Sequence, residues 1–358
     1  MTNRQQKDSS GTRWSRGRRI GHFHPAVIVL VAVAIGTSLA ILSAGPRGAS
    51  SVVQDLSSSG DFSSVEIRME QLSDRVHFLY PEPRLGGNML VSAGDDGILL
   101  VDTDYMQLSE KIKAAIAEIL PGKVDFMVNS HYHFDHASGN AAFGLESVIV
   151  AHESIRRRLM EGREAGSNFR VTPTPVEALP VLTFEDSVTF HWNGEQIDVI
   201  HTSNPSHTDG DTVIFFRDAN AIHTGDQYVN LNGFPYIDHD VGGSALGLRD
   251  NIAEILGMID DQTKVIPGHG PIATKAELQF YHDQVAESIQ FIEDARNAGK
   301  SLEAIQSDGL QRNFLGTTGF RQNRPGSSMC PPVLRTGWSQ LGYDRGTELG
   351  ESRRFTRH

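Results

Sequence analysis

Residues 131–136 read HYHFDH and follow directly on VDFMV (124–128), a short apolar run of the kind that forms a buried strand. A chain with three imidazoles and a carboxylate in six positions at such a strand end must fold so that these groups find partners. Imidazole and carboxylate are the usual donors to a divalent cation such as zinc. In an extended or looped backbone, side chains i and i+2 point the same way, so His131 and His133 can share one ion. Asp135 and His136 then point elsewhere, which suits a second ion beside the first. A polar turn with surface histidines is the plain alternative, and four ligand-type residues in six positions argue against it.

The surroundings read as α/β structure. QLSEKIKAAIAEIL (107–120) puts Leu108, Ile112, Ala115, Ile116, Ile119 and Leu120 on one helical stripe, and Pro121-Gly122 stops it. The cluster therefore lies on the loop leaving the second strand of a strand-helix-strand unit, where α/β sites are usually found. Upstream, DRVHFLY (74–80) alternates, and NMLVSAGDDGILLVD (88–102) is two strand-like runs joined by Asp95, Asp96 and Gly97. Downstream, SVIVA (147–151) reads as a strand and ESIRRRLME as a helix, and 162–180 is turn-rich with Pro173, Pro175 and Pro180. Strands follow at LTFEDSVTFHW, QIDVIHT, TVIFFRD and NAIHTGD, then a helix over 244–259, a strand at TKVIP, and a long amphipathic helix over 273–299. Two rounds of β-rich then α/β structure, 70–195 and 196–300, predict two stacked sheets with helices outside.

The ends differ from the body. Residues 1–24 are polar and basic, and the run AVIVLVAVAIGTSLAILSA (26–44) has no charge. About 20 such residues span a bilayer, whereas a signal-peptide core is usually ~7–15. We expect an uncleaved signal anchor at 25–45, with the basic flank in the cytoplasm and the body outside it, periplasmic or extracytoplasmic. Cleavage and secretion is the alternative. Residues 46–69 are expected as a linker, 70–300 as the catalytic domain, and 301–358 as an irregular or disordered tail. The whole chain carries −12, while residues 1–50 carry +6 and 310–358 carry +5, which leaves −23 on 51–309. An acidic body disfavours nucleic acid as a partner and tolerates bound cations. Cys330 is the only cysteine, so no internal disulfide can form, and it is given no role. Nothing in the sequence sets an oligomeric state.

Three further segments look like ligand sites: NPSHTDGDTVIFF with His207 before a strand, AIHTGDQY with Asp226 after one, and VIPGHGP with His269 between two glycines. Each puts a ligand at a strand-loop junction with small neighbours that permit close approach. A lone histidine is more often structural, and His201 and His223 are read that way, with His152, His191 and His282 as further decoys.

In combination, HYHFDH with His207, Asp226 and His269 in order resembles the metallo-β-lactamase superfamily of glyoxalase II-like hydrolases, over about 70–297. HYHFDH matches its H-x-H-x-D-H motif. The resemblance implies an αββα four-layer sandwich with two zinc ions between the sheets, iron or manganese being alternatives. It implies His131, His133 and His207 on the first ion, Asp135, His136 and His269 on the second, and Asp226 bridging. Seven ligands exceed the four that close a structural zinc site. Broad-spectrum β-lactamases of the family carry cysteine at the position of Asp226, another subclass serine. The aspartate is the pattern of glyoxalase II and lactonases. The expected activity is hydrolysis of a small-molecule ester, thioester, lactone or lactam by a hydroxide shared between the ions, with Asp135 orienting it and passing a proton. A mononuclear iron oxygenase of the same fold, a β-lactamase proper and, less in keeping with the acidic body, a nuclease are the competing readings. Tyr228 is a candidate oxyanion donor at the rim, with Asn230 and Asn232 in the same role. Tyr132 and Phe134 are read as packing residues.

Overall fold

A computed structural model describes residues 61–162, 173–231 and 233–307 of the chain. Two sheets are built from it. The first contains β1 (Glu66–Gln71), β2 (Val76–Glu82), β3 (Met89–Gly94), β4 (Gly97–Val101), β5 (Phe126–Val128), β6 (Val148–His152) and β7 (Leu182–Phe184), in that spatial order. The second contains β8 (Ser187–Trp192), β9 (Glu195–His201), β10 (Thr212–Phe216), β11 (Ala221–His223) and β12 (Lys264–Ile266), ordered β12-β11-β10-β9-β8. In chain order the helices are α1 (Ser109–Ile119), the single turns α2 (Phe134–Ala137) and α3 (Asn140–Phe143), α4 (Glu153–Glu161), α5 (Ala245–Met258), α6 (Lys275–Asn297) and α7 (Leu302–Ser307).

Alternating side chains of single strands divide between different cores, and this defines the layers. Ile98 and Leu100 of β4 join Met89 and Val91 of β3 in a core under Leu108, Ile112 and Ile116 of the α1 region. Leu99 and Val101 of β4 face the other way, into a core shared with Ile197, Val199, Ile214 and Phe216 of the second sheet. Val213 and Phe215 of β10 then face a third core with Leu248, Ile252, Ile255, Leu278, Val285 and Ile289 of α5 and α6. The order helix, sheet, sheet, helix is the expected αββα sandwich. Strands buried on both faces carry no polar alternation, which is why β3, β4 and β10 read as continuous apolar runs.

Local signals worked where chemistry was local. Gly94 pairs Gly97 across the β3–β4 turn, leaving Asp95 and Asp96 as the connection. Ser244 accepts the Gly247 N–H at the start of α5, and Thr274 and Glu277 form a reciprocal capping box on α6.

Several boundaries are corrected. The fold begins before residue 70: all six residues of β1 pair with β2, and Lys111 Nζ bonds the carbonyls of Phe62, Ser63 and Val65 at 2.9, 2.9 and 2.5 Å. Residues 66–69 are therefore strand, not linker. The domain also runs past 300, because Ile305 of α7 is buried against Ala295 of α6. The division at 195/196 moves to 184–187: LTFEDSVTFHW is two strands, β7 pairing β6 in one sheet and β8 pairing β9 in the other. The anchor read at 25–45, Asn232, Cys330, the 163–172 part of the turn-rich segment and 308–358 lie outside the described residues. Among the described residues no helix is long and apolar enough to cross a membrane.

Candidate metal centre

Each ligand-type residue sits at the carboxyl end of a strand or on the loop beyond it. His131 and His133 follow β5, and the backbone turns into α2 at Phe134, which swings Asp135 and His136 away from them. His207 lies on the β9–β10 loop, Asp226 follows β11 and His269 follows β12. Cross-links between the sheets hold these loops together: Thr212 N donates to Ser130 O at 2.9 Å, Asn88 N to Gly268 O at 2.8 Å, and Asn88 Nδ2 to Pro267 O at 2.7 Å.

The seven residues read from the sequence converge. His131, His133 and His207 form one group of donor atoms, Asp135, His136 and His269 a second, and His131, His136 and Asp226 a third between them, the atoms of each within 4.8 Å of one another. His133 Nδ1 lies 2.8 Å from His207 Nε2. His136 Nε2 lies 3.2 Å from His269 Nε2, and His269 Nε2 lies 3.2 Å from Asp135 Oδ2. Asp226 turns one oxygen to each side: Oδ1 is 3.2 Å from His136 Nε2 and 3.4 Å from His269 Nε2, and Oδ2 is 3.6 Å from His207 Nε2.

The outward nitrogens are braced. His136 Nδ1 bonds Asp102 Oδ2 at 2.8 Å, His133 Nε2 bonds Asp238 Oδ2 at 3.0 Å, His207 Nδ1 bonds Tyr236 O at 2.5 Å, and His269 Nδ1 bonds Gly86 O at 2.9 Å. His131 Nδ1 lies 3.1 Å from Ser130 Oγ, which itself donates to Asp102 at 2.6 Å. Partners of this kind fix the tautomer and aim the inner nitrogen at a common point. Small residues let the loops close: a Cβ on Gly87 would lie 2.6 Å from the His136 ring, and one on Gly268 would overlap Asp226 Oδ1.

The donor set fits divalent cations. Donors placed tetrahedrally around zinc at 2.0–2.1 Å lie about 3.3 Å apart, close to the spacings above. His131 Nε2 is buried with no hydrogen-bond partner, a costly state unless a further group is to be bound. Electrostatics agrees. Burial and then the neighbouring imidazoles hold His131 well below its ordinary range, and burial and then His133 lower His207. These remain neutral donors. Burial, the largest cause, would lower His136 and His269, but the charge of Asp226 and the bonds and charges of Asp102 (at His136) and Asp135 (at His269) together outweigh it, pushing His136 well above its ordinary range and His269 up to about 10. Burial alone would raise Asp135 and Asp226. Bonding from His269 holds Asp135 at about 2, and the charges of His269 and His136 hold Asp226 well below the usual carboxylate range. These carboxylates thus demand positive charge at the centre.

Tyr228 is corrected. It is 3% exposed in the α5–α6 core, its ring centroid 4.8 Å from that of Tyr281, so it packs a helix layer and lines no rim. Asn230 Nδ2 is committed to Pro271 O at 3.0 Å, which steadies the His269 loop. Tyr132 is buried as expected, and its hydroxyl donates to Asp238. His223 and His201 are structural, bonded to Asn88 O and Asp211 O. Asp102 and Asp238 escaped the sequence reading. They stand in LVDTD and YIDHD, which look like ordinary turn residues until folding brings them behind His136 and His133. Asp104 was missed too: its φ is +53°, one carboxylate oxygen has no partner, and burial raises it to about 8.

A sequence model of the metallo-beta-lactamase superfamily matches residues 83–269, which spans the whole ligand set. Among solved structures, a metallo-beta-lactamase from Pontibacter korlensis is 17% identical with a TM-score of 0.51, over 62% of this chain and 99% of that one. The DIM-1 metallo-beta-lactamase is 19% identical with a TM-score of 0.50, over 63% and 99%. At such identities these two show a shared fold alone. Comparison with curated protein sequences gives no match. With the family match covering more than half of the sequence and the four layers in place, the chain belongs to the metallo-beta-lactamase superfamily.

Proposed function

We propose that the chain is a metal-dependent hydrolase that holds two divalent cations, zinc foremost, and cleaves a carbonyl-type bond in an ester, thioester, lactone or lactam. The observation that carries this reading is Asp226, whose two oxygens face different donor groups. That placement suits a carboxylate shared by two ions and has no purpose around one. It supports the dinuclear reading over a mononuclear iron oxygenase, for which Asp135, His136 and His269 would form a surplus group. The ions would supply Lewis acidity, polarising a carbonyl and acidifying water.

The chain's own residues do the rest. His131 and His207, lowered by burial, offer neutral nitrogens, and His133 Nδ1 stands beside them. Asp135, held ionised, orients the attacking water by accepting its hydrogen bond and relays its proton to the leaving group. Asp102 and Asp238 keep His136 and His133 aimed inward. Metal analysis of the purified chain should give two zinc ions, and a panel of lactones, thioesters, esters and β-lactams should show hydrolysis that a chelator abolishes and zinc restores. One iron per chain with no zinc, or a zinc-loaded chain inert on the whole panel, would overturn the reading.

The site takes a small molecule, and the acidic body disfavours nucleic acid. We further propose that residues 25–45 anchor the catalytic domain outside the cytoplasm. A reporter fused after residue 300 should be active only there, and a cytoplasmic signal would reverse the orientation.

A further inference from the structure

Two ligand residues have a buried polar neighbour in sequence, and the two neighbours meet. Gln227 comes directly after Asp226, on the single 3-10 turn Gly225–Gln227, and Ser206 comes directly before His207. Both are buried. Gln227 Oε1 lies 3.2 Å from Ser206 Oγ, 3.1 Å from Thr202 Oγ1 and 3.0 Å from Asn251 Nδ2. Asn251 stands on α5 and fastens the same loop: its Oδ1 accepts the Asn204 N–H at 3.1 Å, and its Nδ2 also reaches Asn204 O at 2.7 Å and Thr202 Oγ1 at 2.9 Å. A backbone N–H can only donate, so Asn204 fixes which way the Asn251 amide points. Asn251 in turn fixes Gln227 with its oxygen toward them. Gln227 Nε2 is left without a partner among the described residues, so the bonding of this buried amide passes through one oxygen.

The helix is shaped to hold this loop. Ser244, Gly247 and Asn251 follow at spacings of three and four, which puts them on one helical face. Ser244 N donates to Ser206 O at 2.6 Å, and a Cβ on Gly247 would lie 1.9 Å from Pro205 O. The Asp226 segment has no such backbone tie: among the described residues no backbone hydrogen bond joins 224–228 to 202–208. The polar link between them is made by side chains. A buried amide with an unpaired nitrogen is costly, and an apolar residue of equal shape would fill the space without that cost. What the amide adds is a fixed distance between the residues that flank it. We infer that Gln227 and Asn251 form a positioning joint, which sets the reach from Asp226 Oδ2 to His207 Nε2, 3.6 Å apart, and through it the metal affinity of the His131, His133 and His207 group. Neither is a ligand, and both act through their neighbours. The inference rests on the two-metal hydrolase reading and deepens it.

The test separates the two. The full-length zinc-loaded protein is titrated with a competing chelator until two zinc steps are resolved, and the step lost in His207→Ala marks the all-imidazole group. Gln227→Met keeps the side-chain length and removes the amide. That step should weaken by about 10- to 100-fold, while the other moves by roughly twofold at most. Asn251→Leu should weaken the same step, and the double variant should lose no more than the worse single one, since both open one joint. A merely structural role predicts a different pattern. Gln227→Met would then lower the melting temperature, as Ile252→Ala in the α5 core must, and leave both zinc steps unmoved. That result, or additive losses in the double variant, overturns the joint. If Gln227→Met does not fold, Thr202→Val is read instead: a weakening of about threefold, the scale of one net hydrogen bond, bears the joint out, and none overturns it. Turnover on the substrate panel is measured separately. Shifted zinc steps without turnover by the native chain sink the hydrolase and spare the joint, turnover with unmoved steps does the reverse, and a native chain that holds no zinc sinks both.

Discussion

The two donor groups of the centre are built from different material. His131, His133 and His207 are three imidazoles, all buried, with their far nitrogens held by Ser130, Asp238 and the Tyr236 carbonyl. Asp135, His136 and His269 mix charge with imidazole, and the Asp135 and His269 side chains keep 20% and 18% of their surface. The first group is a closed, all-imidazole cradle. The second is a more open one that holds a carboxylate. A site divided this way can keep one ion fixed while the other side admits substrate, with Asp226 coupling the two.

The coupling is the place to strike hardest. Asp226→Ala removes the one side chain that faces both groups, and activity should fall by about a thousandfold, the scale of several kcal/mol of lost electrostatic stabilisation. Metal analysis should show fewer than two ions per chain. Full activity with both ions retained would end the bridging assignment.

Bracing residues should separate the groups. Asp238→Ala frees His133, and the Tyr132 hydroxyl with it, but no other donor of the centre, and should weaken the all-imidazole group's affinity for zinc by about 10- to 100-fold. Asp102→Ala should weaken both, since Asp102 bonds His136 directly and His131 through Ser130. A competition titration that resolves two binding steps would show one step moved by the first variant and two by the second. Identical profiles would erase the distinction between the groups.

A smaller effect lies beside the second group. Asp104 has a folded value of about 8 against an ordinary 3.8. Below about pH 4 both folded and unfolded chains hold its proton. Between pH 4 and 8 the unfolded chain sheds a proton that the folded chain keeps, so folding stability is lost as the pH rises through that window. Asp104→Asn, unable to ionise, should melt at least ~3 °C higher than the native chain at pH 8 without metal, roughly 1 kcal/mol at this size. The gain should vanish near pH 4. Smallest of all, Tyr228→Phe should change kcat/KM by less than twofold, because the ring packs in the helix layer.

The legible parts of this molecule were those with local causes. The β3–β4 turn, the α1 stripe and the amphipathic run of α6 were recoverable because each depends on neighbours within a few positions. The metal ligands were legible for a different reason: HYHFDH compresses four donors into one loop, and the other three sit at strand ends beside glycine or other small residues. What escaped was chemistry assembled across the chain. LTFEDSVTFHW has one strand composition throughout, and only pairing partners send its halves to separate sheets. Tyr228 stands two residues from Asp226, yet its ring turns into the α5–α6 core.

The sequence by itself determined the donor types, their order and the strand ends that carry them, because metal chemistry restricts the side chains and hydrophobic pattern restricts the elements. Only the tertiary structure decided which donors share a group, and that Asp102 and Asp238 stand behind two of them. Those relations join residues as far apart as His136 and His269, 133 positions. They arise from the stacking of two sheets, and nothing local in the chain encodes that stacking.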